Sequence, residues 1–97
     1  KPAPDVYEEV LRRLKLSPSE CIAFEDSRNG LVSAKGAGIP CVVTPCQWTR
    51  HHDFSEACIE LPALGDVTEP LDQFEKYGLM QPWLSVEDLV RAQKHAA

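Results

Sequence analysis

The chain of 97 residues is 43% hydrophobic and 26% charged, and its formal net charge is −5. This balance predicts a folded globular unit and excludes a disordered chain. The excess of acids, without a stripe of basic residues, excludes nucleic acid and an anionic membrane surface as main partners, and no apolar stretch approaches the roughly 18 residues of a membrane span.

The first half of the chain predicts a helix followed by a strand, a helix and a second strand. Pro4 suits the first turn of the first helix, whose apolar residues recur at helical spacing: Val6, Tyr7, Val10, Leu11 and Leu14. Apolar runs at residues 21–24 and 41–44 predict buried strands, and between them a helix begins after Ser27 and ends at Gly38. Such a strand-helix-strand unit is parallel, so the predicted fold class is α/β.

The second half of the chain gives weaker signals. Residues 46–55 are typical of a loop, residues 57–61 predict a third short strand, and residues 71–77 predict a short helix. Residues 62–97 are expected to form a C-terminal extension, in which Ser85 and Asp88 resemble a capping box that starts a terminal helix ending near Lys94. Residues 53–75 contain seven acids and no Lys or Arg, which indicates a solvated face or a docking surface.

Four cysteines are present, and Cys21, Cys41 and Cys58 sit in apolar runs, where each is expected to be a small buried hydrophobic residue. Free thiols are typical of a reducing compartment, so the expected location is the cytoplasm or the plastid stroma. An alternative is a zinc site built from residues in the middle of the chain: Cys41, Cys46, His51, His52 and Cys58.

Two adjacent acids, Glu25 and Asp26, follow the first predicted strand. Ligands of open α/β sheets bind beyond the carboxyl ends of strands, and the peptide N–H groups of residues 27–30 are expected to point the same way. Two carboxylates there suit a hard cation such as Mg²⁺ that bridges a phosphate. The alternative is a structural turn in which Asp26 helps Ser27 to cap the helix. Gly30 indicates tight packing or close ligand approach in the first helical turn.

Two motifs resemble those of the haloacid dehalogenase-like hydrolases, most closely their β-phosphoglucomutase-like branch. Residues 1–5 (KPAPD) are similar to the third motif of that family, and residues 25–30 (EDSRNG) are similar to the fourth. Further along the chain, Thr49 followed by residues 53–57 and 64–66 resembles the CbbY-type phosphatases, which act on the sugar xylulose 1,5-bisphosphate.

The resemblance implies a magnesium-dependent phosphatase that attacks a sugar phosphate or bisphosphate through an aspartyl-phosphate, which water then hydrolyses. It implies Asp26 as the direct Mg²⁺ ligand and Glu25 as its companion, directly or through water. Lys1 is implied as the catalytic residue that bridges the substrate phosphate and the nucleophilic carboxylate. Ser27 and Asn29 would support the ligands and the phosphate, or cap the helix.

Three parts of the family pattern have no counterpart in these residues: the Asp-x-Asp nucleophile motif, the Ser or Thr of the second motif, and the cap domain. Residues 1–97 are therefore expected to form the C-terminal part of a Rossmann-like, three-layer catalytic domain with a parallel sheet. We expect the N-terminal half of that domain to pair with the open edge of the first strand, and this chain alone to be inactive.

Two alternatives to the phosphatase follow from the same residues. The first is a sugar phosphomutase of the β-phosphoglucomutase type, which has the same fold and metal but returns the phosphoryl group to a sugar. The second is a non-catalytic interaction module that docks through the acidic residues 53–75.

Overall fold

The structure is a computed structural model that describes residues 3–95. It contains three α-helices and three β-strands in these residues, in the order α1 (Asp5–Leu14), β1 (Ala23–Glu25), α2 (Arg28–Gly36), β2 (Cys41–Val43), β3 (Ile59–Glu60) and α3 (Val86–His95). Two 3₁₀ turns, Pro18–Glu20 and Phe74–Tyr77, lie between them.

The three strands form one parallel sheet in the order β1-β2-β3, in which Ala23 pairs with Cys41 and Val42 pairs with Ile59. This arrangement confirms the α/β class and the strand-helix-strand unit. The first strand begins at Ala23 rather than residue 21, and it includes Glu25, because the Thr44 N–H donates to the Glu25 carbonyl at 2.9 Å. Glu25 is therefore the last residue of the strand and not the first residue after it.

The predicted strand at residues 57–61 is shorter in the structure. Ladder hydrogen bonds run from the N–H groups of Cys58 and Leu61 to carbonyls of β2, but the Ala57 N–H turns back to the Phe54 carbonyl at 3.0 Å. Ala57 therefore belongs to a turn, and only Ile59–Glu60 is strand.

Positive backbone angles explain two other differences from the predicted helices. The predicted helix at residues 71–77 is a single 3₁₀ turn, because Gln73 and Gly78 adopt φ values of 51° and 82° on either side of it. The α2 helix ends at Gly36 instead of Gly38, and Gly38 forms the following turn with φ of 81°.

Side chains of β2 alternate between two apolar clusters, one on each face of the sheet. Cys41 and Val43 join the cluster beneath α2, together with Ala23, Leu31, Ala34 and Phe54. Val42 joins the opposite cluster with Leu61, Leu71 and Leu79. Residues of the C-terminal extension thus cover the second face of the sheet, and the Gln93 side chain reaches the Cys21 carbonyl at 2.9 Å.

β1 is one of the two edge strands of the sheet and pairs only with β2 among residues 3–95. Phe24 of this strand is 46% exposed, on the face opposite to Ala23 and Glu25. The nearby helix α1 packs Tyr7 and Leu11 against the core, while its other predicted apolar residues, Val6, Val10 and Leu14, are exposed. An apolar strand edge and an apolar helix face are therefore both open in the described part of the chain.

The four cysteines are free thiols, of which Cys41 is buried, Cys21 and Cys58 are half-buried and Cys46 is exposed. Burial raises the pKa of Cys41 to about 12 and also raises the pKa of Cys58, so both thiols stay protonated at neutral pH. Within residues 3–95, no three His, Cys, Asp or Glu side chains form a group that could hold a metal, so the zinc alternative finds no cluster there. No helix in the same residues is long and apolar enough to cross a membrane.

The capping box predicted at the start of α3 is confirmed. The Asp88 N–H donates to Ser85 Oγ at 3.2 Å, and the Ser85 N–H donates to Asp88 Oδ2 at 2.8 Å. Asp88 is only 3% exposed, and its carboxylate also accepts hydrogen bonds from Gln81 and Arg91. Burial opposes the charged form, but the hydrogen bonds outweigh it and lower the pKa of Asp88.

We expect Asp88→Asn to lower the free energy of unfolding at pH 7 by about 1–3 kcal/mol, since a buried charged acceptor is lost. Because the folded-state pKa is depressed, this contribution is complete above the unfolded value of about 3.9 and disappears as pH falls through the folded value. Urea unfolding at pH 7 and below pH 4 measures both effects, with exposed Asp72→Asn as the control. Equal stability of Asp88→Asn and wild type at pH 7 would contradict this account.

Candidate active site

The candidate site lies where β1 ends and α2 begins, at the carboxyl edge of the parallel sheet. Glu25 is the last residue of β1, and Asp26 and Ser27 form the short connection to Arg28, the first residue of α2. This edge is where open α/β sheets bind their ligands, so the structure places both predicted acids in the expected location.

The Glu25 carboxylate is half-buried and held from the side of α1. The phenol of Tyr7 donates a hydrogen bond to Glu25 Oε2. Burial first, and then the neighbouring Glu25 carboxylate, raises the pKa of Tyr7, so its phenol stays protonated and remains a donor at neutral pH. Tyr7 therefore fixes one oxygen of Glu25.

Gly30 makes room for the other oxygen of Glu25. A Cβ atom at this position would lie 1.8 Å from Glu25 Oε1 and 2.4 Å from its Cδ, far inside van der Waals contact. The expectation of tight packing at Gly30 is confirmed, and the group that approaches the glycine is the acid itself. Glu25 is thus confined between Tyr7 and the first turn of α2.

Asp26 differs from Glu25 because its side chain is exposed. Its restraint comes through the backbone, where the Thr49 hydroxyl donates to the Asp26 carbonyl oxygen. One acid of the pair is therefore fixed by its side chain, while the other presents a free carboxylate to solvent from a fixed peptide.

Ser27 caps α2, as one of the alternative interpretations of the sequence predicts. Its Oγ accepts a hydrogen bond from the Gly30 N–H at 3.2 Å, and the Arg28 N–H donates to His52 Nδ1 at 3.2 Å. The expectation that the N–H groups of residues 27–30 point toward a ligand is therefore wrong for Arg28 and Gly30, whose N–H groups are used within the protein. Asn29 lies exposed in the first turn of α2, and Lys1 lies outside the described residues.

Three residues that contact the site were missed by the sequence analysis as site residues: Tyr7, Thr49 and His52. Tyr7 belongs to an apolar helical stripe, and its periodicity is the same whether or not its hydroxyl has a partner. Thr49 and His52 belong to a loop without periodicity. The only sequence signal for Thr49 was its place in the segment that resembles the CbbY-type phosphatases.

The donor chemistry of the acid pair fits Mg²⁺. Carboxylate oxygens are hard ligands, and Mg²⁺ needs only one or two protein carboxylates when water and phosphate oxygens complete its shell. One constrained and one exposed carboxylate leave that shell open for other groups. No third acid, histidine or cysteine joins the pair within residues 3–95, so this part of the chain offers a partial ligand set.

The chain is similar in sequence to a family of hydrolases and to several CbbY proteins. Residues 1–38 match the family described as haloacid dehalogenase-like hydrolase. The chain is 53% identical over 73 residues to the CbbY protein of Cupriavidus necator, a match that covers 75% of this chain and 29% of the relative. It is 39% identical over 69 residues to a CBBY-like protein of Arabidopsis thaliana, with 71% of this chain and 22% of the relative covered.

The fold of the chain is also similar to that of a solved CbbY structure. The crystal structure of a CbbY variant from Rhodobacter sphaeroides in complex with xylulose-(1,5)bisphosphate superimposes with a TM-score of 0.65 at 45% identity, covering 70% of this chain and 32% of that one. The chain spans less than a third of the length of the curated relatives it matches, for example 28% of the CbbY protein of Rhodobacter capsulatus.

Proposed function

The chain belongs to the haloacid dehalogenase-like hydrolase family, and we propose that it carries the metal-binding half of a magnesium-dependent phosphatase that acts on a sugar phosphate or bisphosphate. The observation that carries this proposal is the acid pair at the end of β1, where Tyr7 and Gly30 confine Glu25 beside an exposed Asp26. A purely structural turn needs neither a confined carboxylate nor a second acid next to it.

In this proposal Asp26 holds Mg²⁺ directly, and Glu25 holds it directly or through water. When bound, Mg²⁺ supplies positive charge that stabilises the negative charge developing on the transferred phosphoryl oxygens. Tyr7 keeps Glu25 in position by donating to its Oε2, so that Oε1 stays turned toward Gly30 at the carboxyl edge of the sheet.

The remaining chemistry involves a segment that completes the domain. An aspartate of that segment attacks phosphorus in line, so that a carboxylate–phosphorus bond forms while the bond between phosphorus and the sugar oxygen breaks. The sugar oxygen leaves and takes a proton from water. Water then cleaves the aspartyl-phosphate and releases inorganic phosphate. Lys1 would lie between the phosphate and that aspartate and offset their negative charges.

The open edge of β1 supports the proposal that the metal ligands come from this chain and the nucleophile from another segment. In the described residues this strand pairs on one side only, and its carboxyl end carries Glu25. A further parallel strand on the open edge would place its own carboxyl end beside the acid pair, where a nucleophile is needed. We propose that this partner is the N-terminal half of the same domain, in a reducing compartment such as the cytoplasm or the plastid stroma.

Xylulose 1,5-bisphosphate is the proposed substrate, because a CbbY structure that is 45% identical to this chain is described in complex with it. The test uses the full-length protein with this sugar bisphosphate. We expect release of inorganic phosphate in Mg²⁺ and its loss when EDTA removes the metal. An isomerised sugar phosphate without phosphate release would indicate the phosphomutase, and no turnover under any of these conditions would indicate the interaction module.

A further inference from the structure

The loop of residues 46–56 contacts the connection between β1 and α2 at Asp26, and the first residue of α2 at Arg28. We propose that this loop holds Asp26 in the geometry that metal binding requires, with Thr49 as the positioning residue. The inference rests on the proposed function, because it concerns the same acid pair, but it assigns a role to a segment outside the two motifs.

Thr49 makes the contact nearest to the acids. Its hydroxyl donates to the Asp26 carbonyl oxygen and accepts a hydrogen bond from the Cys46 N–H at 3.0 Å. A hydroxyl that donates and accepts at the same time has a fixed orientation. Since the Asp26 carbonyl carbon is bonded to the Cα that carries the side chain, this hydrogen bond restrains the direction in which the exposed side chain leaves the backbone.

Arg28 provides a second attachment, two residues further along the chain. Its guanidinium donates to the Asp53 carbonyl at 2.8 Å and to both oxygens of Glu56, at 2.9 and 3.3 Å. The hydrogen bonds and charge of this pair raise the pKa of Arg28 and lower the pKa of Glu56. Together with the Arg28 N–H bond to His52, these contacts tie the start of α2 to the loop.

Phe54 connects the loop to the hydrophobic core. It lies between the residues that contact Arg28 and is only 5% exposed, in the cluster that also contains Leu31 of α2. The loop is therefore anchored by burial and does not depend on Thr49 for its position. Removing the Thr49 hydroxyl should affect the Asp26 peptide while leaving the loop in place.

The size of the expected effect follows from the exposure of Asp26. Because solvent surrounds its carboxylate, no side-chain partner in the described residues holds it, and the backbone restraint sets the geometry that Mg²⁺ meets. Groups that orient metal ligands without touching the metal typically contribute about 10- to 100-fold to affinity. We expect the lower end of that range for a single hydrogen bond to a peptide.

The experiment titrates Mg²⁺ into the full-length protein by calorimetry. Thr49→Val, which removes the hydroxyl at nearly constant shape, should bind Mg²⁺ about 10-fold more weakly, and Thr49→Ser, which restores it, should bind like wild type. Thr68→Val is the matched control, because Thr68 also donates through its hydroxyl in an exposed turn, to Asp66. It should not change Mg²⁺ affinity, and thermal unfolding should show all three variants folded.

Wild-type Mg²⁺ affinity in Thr49→Val, or weak binding that Thr49→Ser does not restore, would overturn the positioning role. An Asp26→Asn variant in the same titration separates this failure from failure of the proposed site. If Asp26→Asn loses Mg²⁺ binding while Thr49→Val keeps it, only the role of the loop is wrong. If Asp26→Asn binds Mg²⁺ like wild type, the metal site itself is wrong.

Discussion

Asp26→Asn in the full-length protein is expected to lower kcat/KM for phosphate release by at least about 100-fold, because a bound metal ion contributes several kcal/mol of charge stabilisation. The amide has the shape of the carboxylate and leaves the Asp26 carbonyl free to accept from Thr49, so the substitution changes charge and little else. Phosphate release under saturating Mg²⁺ measures the effect.

Asp72→Asn is the matched control for this experiment. Asp72 is also exposed but lies in the acidic residues 53–75, and its replacement changes net charge by the same amount. We expect full activity in this variant and, for both, a stability within about 0.5 kcal/mol of wild type, as is usual for exposed positions. Wild-type phosphate release by Asp26→Asn would exclude Asp26 as a ligand of a catalytic metal ion.

Gly30→Ala is expected to weaken Mg²⁺ binding by about 10-fold or more, since Glu25, the proposed ligand, loses its position. The new Cβ would lie 1.8 Å from Glu25 Oε1, so the carboxylate must move away and release Tyr7. Elsewhere in a helix the same substitution is favourable by about 1 kcal/mol. Calorimetric titration with Mg²⁺ therefore tests whether the function of Gly30 is to leave space for the Glu25 carboxylate, since the helix itself would be more stable with alanine.

Gly36→Ala and Tyr7→Phe sharpen this test. Gly36 ends the same helix, and its added Cβ would meet Pro4 at 3.1 Å instead of Glu25, so Mg²⁺ affinity should not change. Tyr7→Phe removes the hydroxyl that holds Glu25, and in combination with Gly30→Ala it should add little, because both act through one carboxylate. Fully additive losses, or wild-type affinity in Gly30→Ala, would contradict the described geometry.

The sequence predicted the elements of the first half of the fold because their apolar periods are strong. Residues 41–44 gave a continuous apolar run, and β2 is found there with both faces buried. The ends of the elements were less predictable, since they depend on hydrogen bonds to distant residues. Glu25 looks like a turn residue by type, yet its carbonyl accepts from Thr44 and makes it part of β1.

The sequence predicted where the two acids of the candidate site lie, but it did not predict which side chains contact them. The two acids follow an apolar run, and that alone locates Glu25 and Asp26 at the carboxyl edge of a sheet. The partners of those acids come from α1 and from the loop of residues 46–56, which are distant in sequence and carry no pattern that reveals a hydrogen bond. The contacts of Tyr7 and Thr49 with the two acids could therefore be identified only from the structure.

The central claim is that Glu25 and Asp26 hold the metal of a phosphatase. Its most direct test is anomalous diffraction from crystals of the full-length protein grown with Mn²⁺ in place of Mg²⁺, since Mn²⁺ shares the preference for oxygen ligands. The account predicts an anomalous peak in contact with a carboxylate oxygen of Asp26, with Glu25 in its shell directly or through water. A peak bound elsewhere, with both carboxylates free of metal, would contradict it.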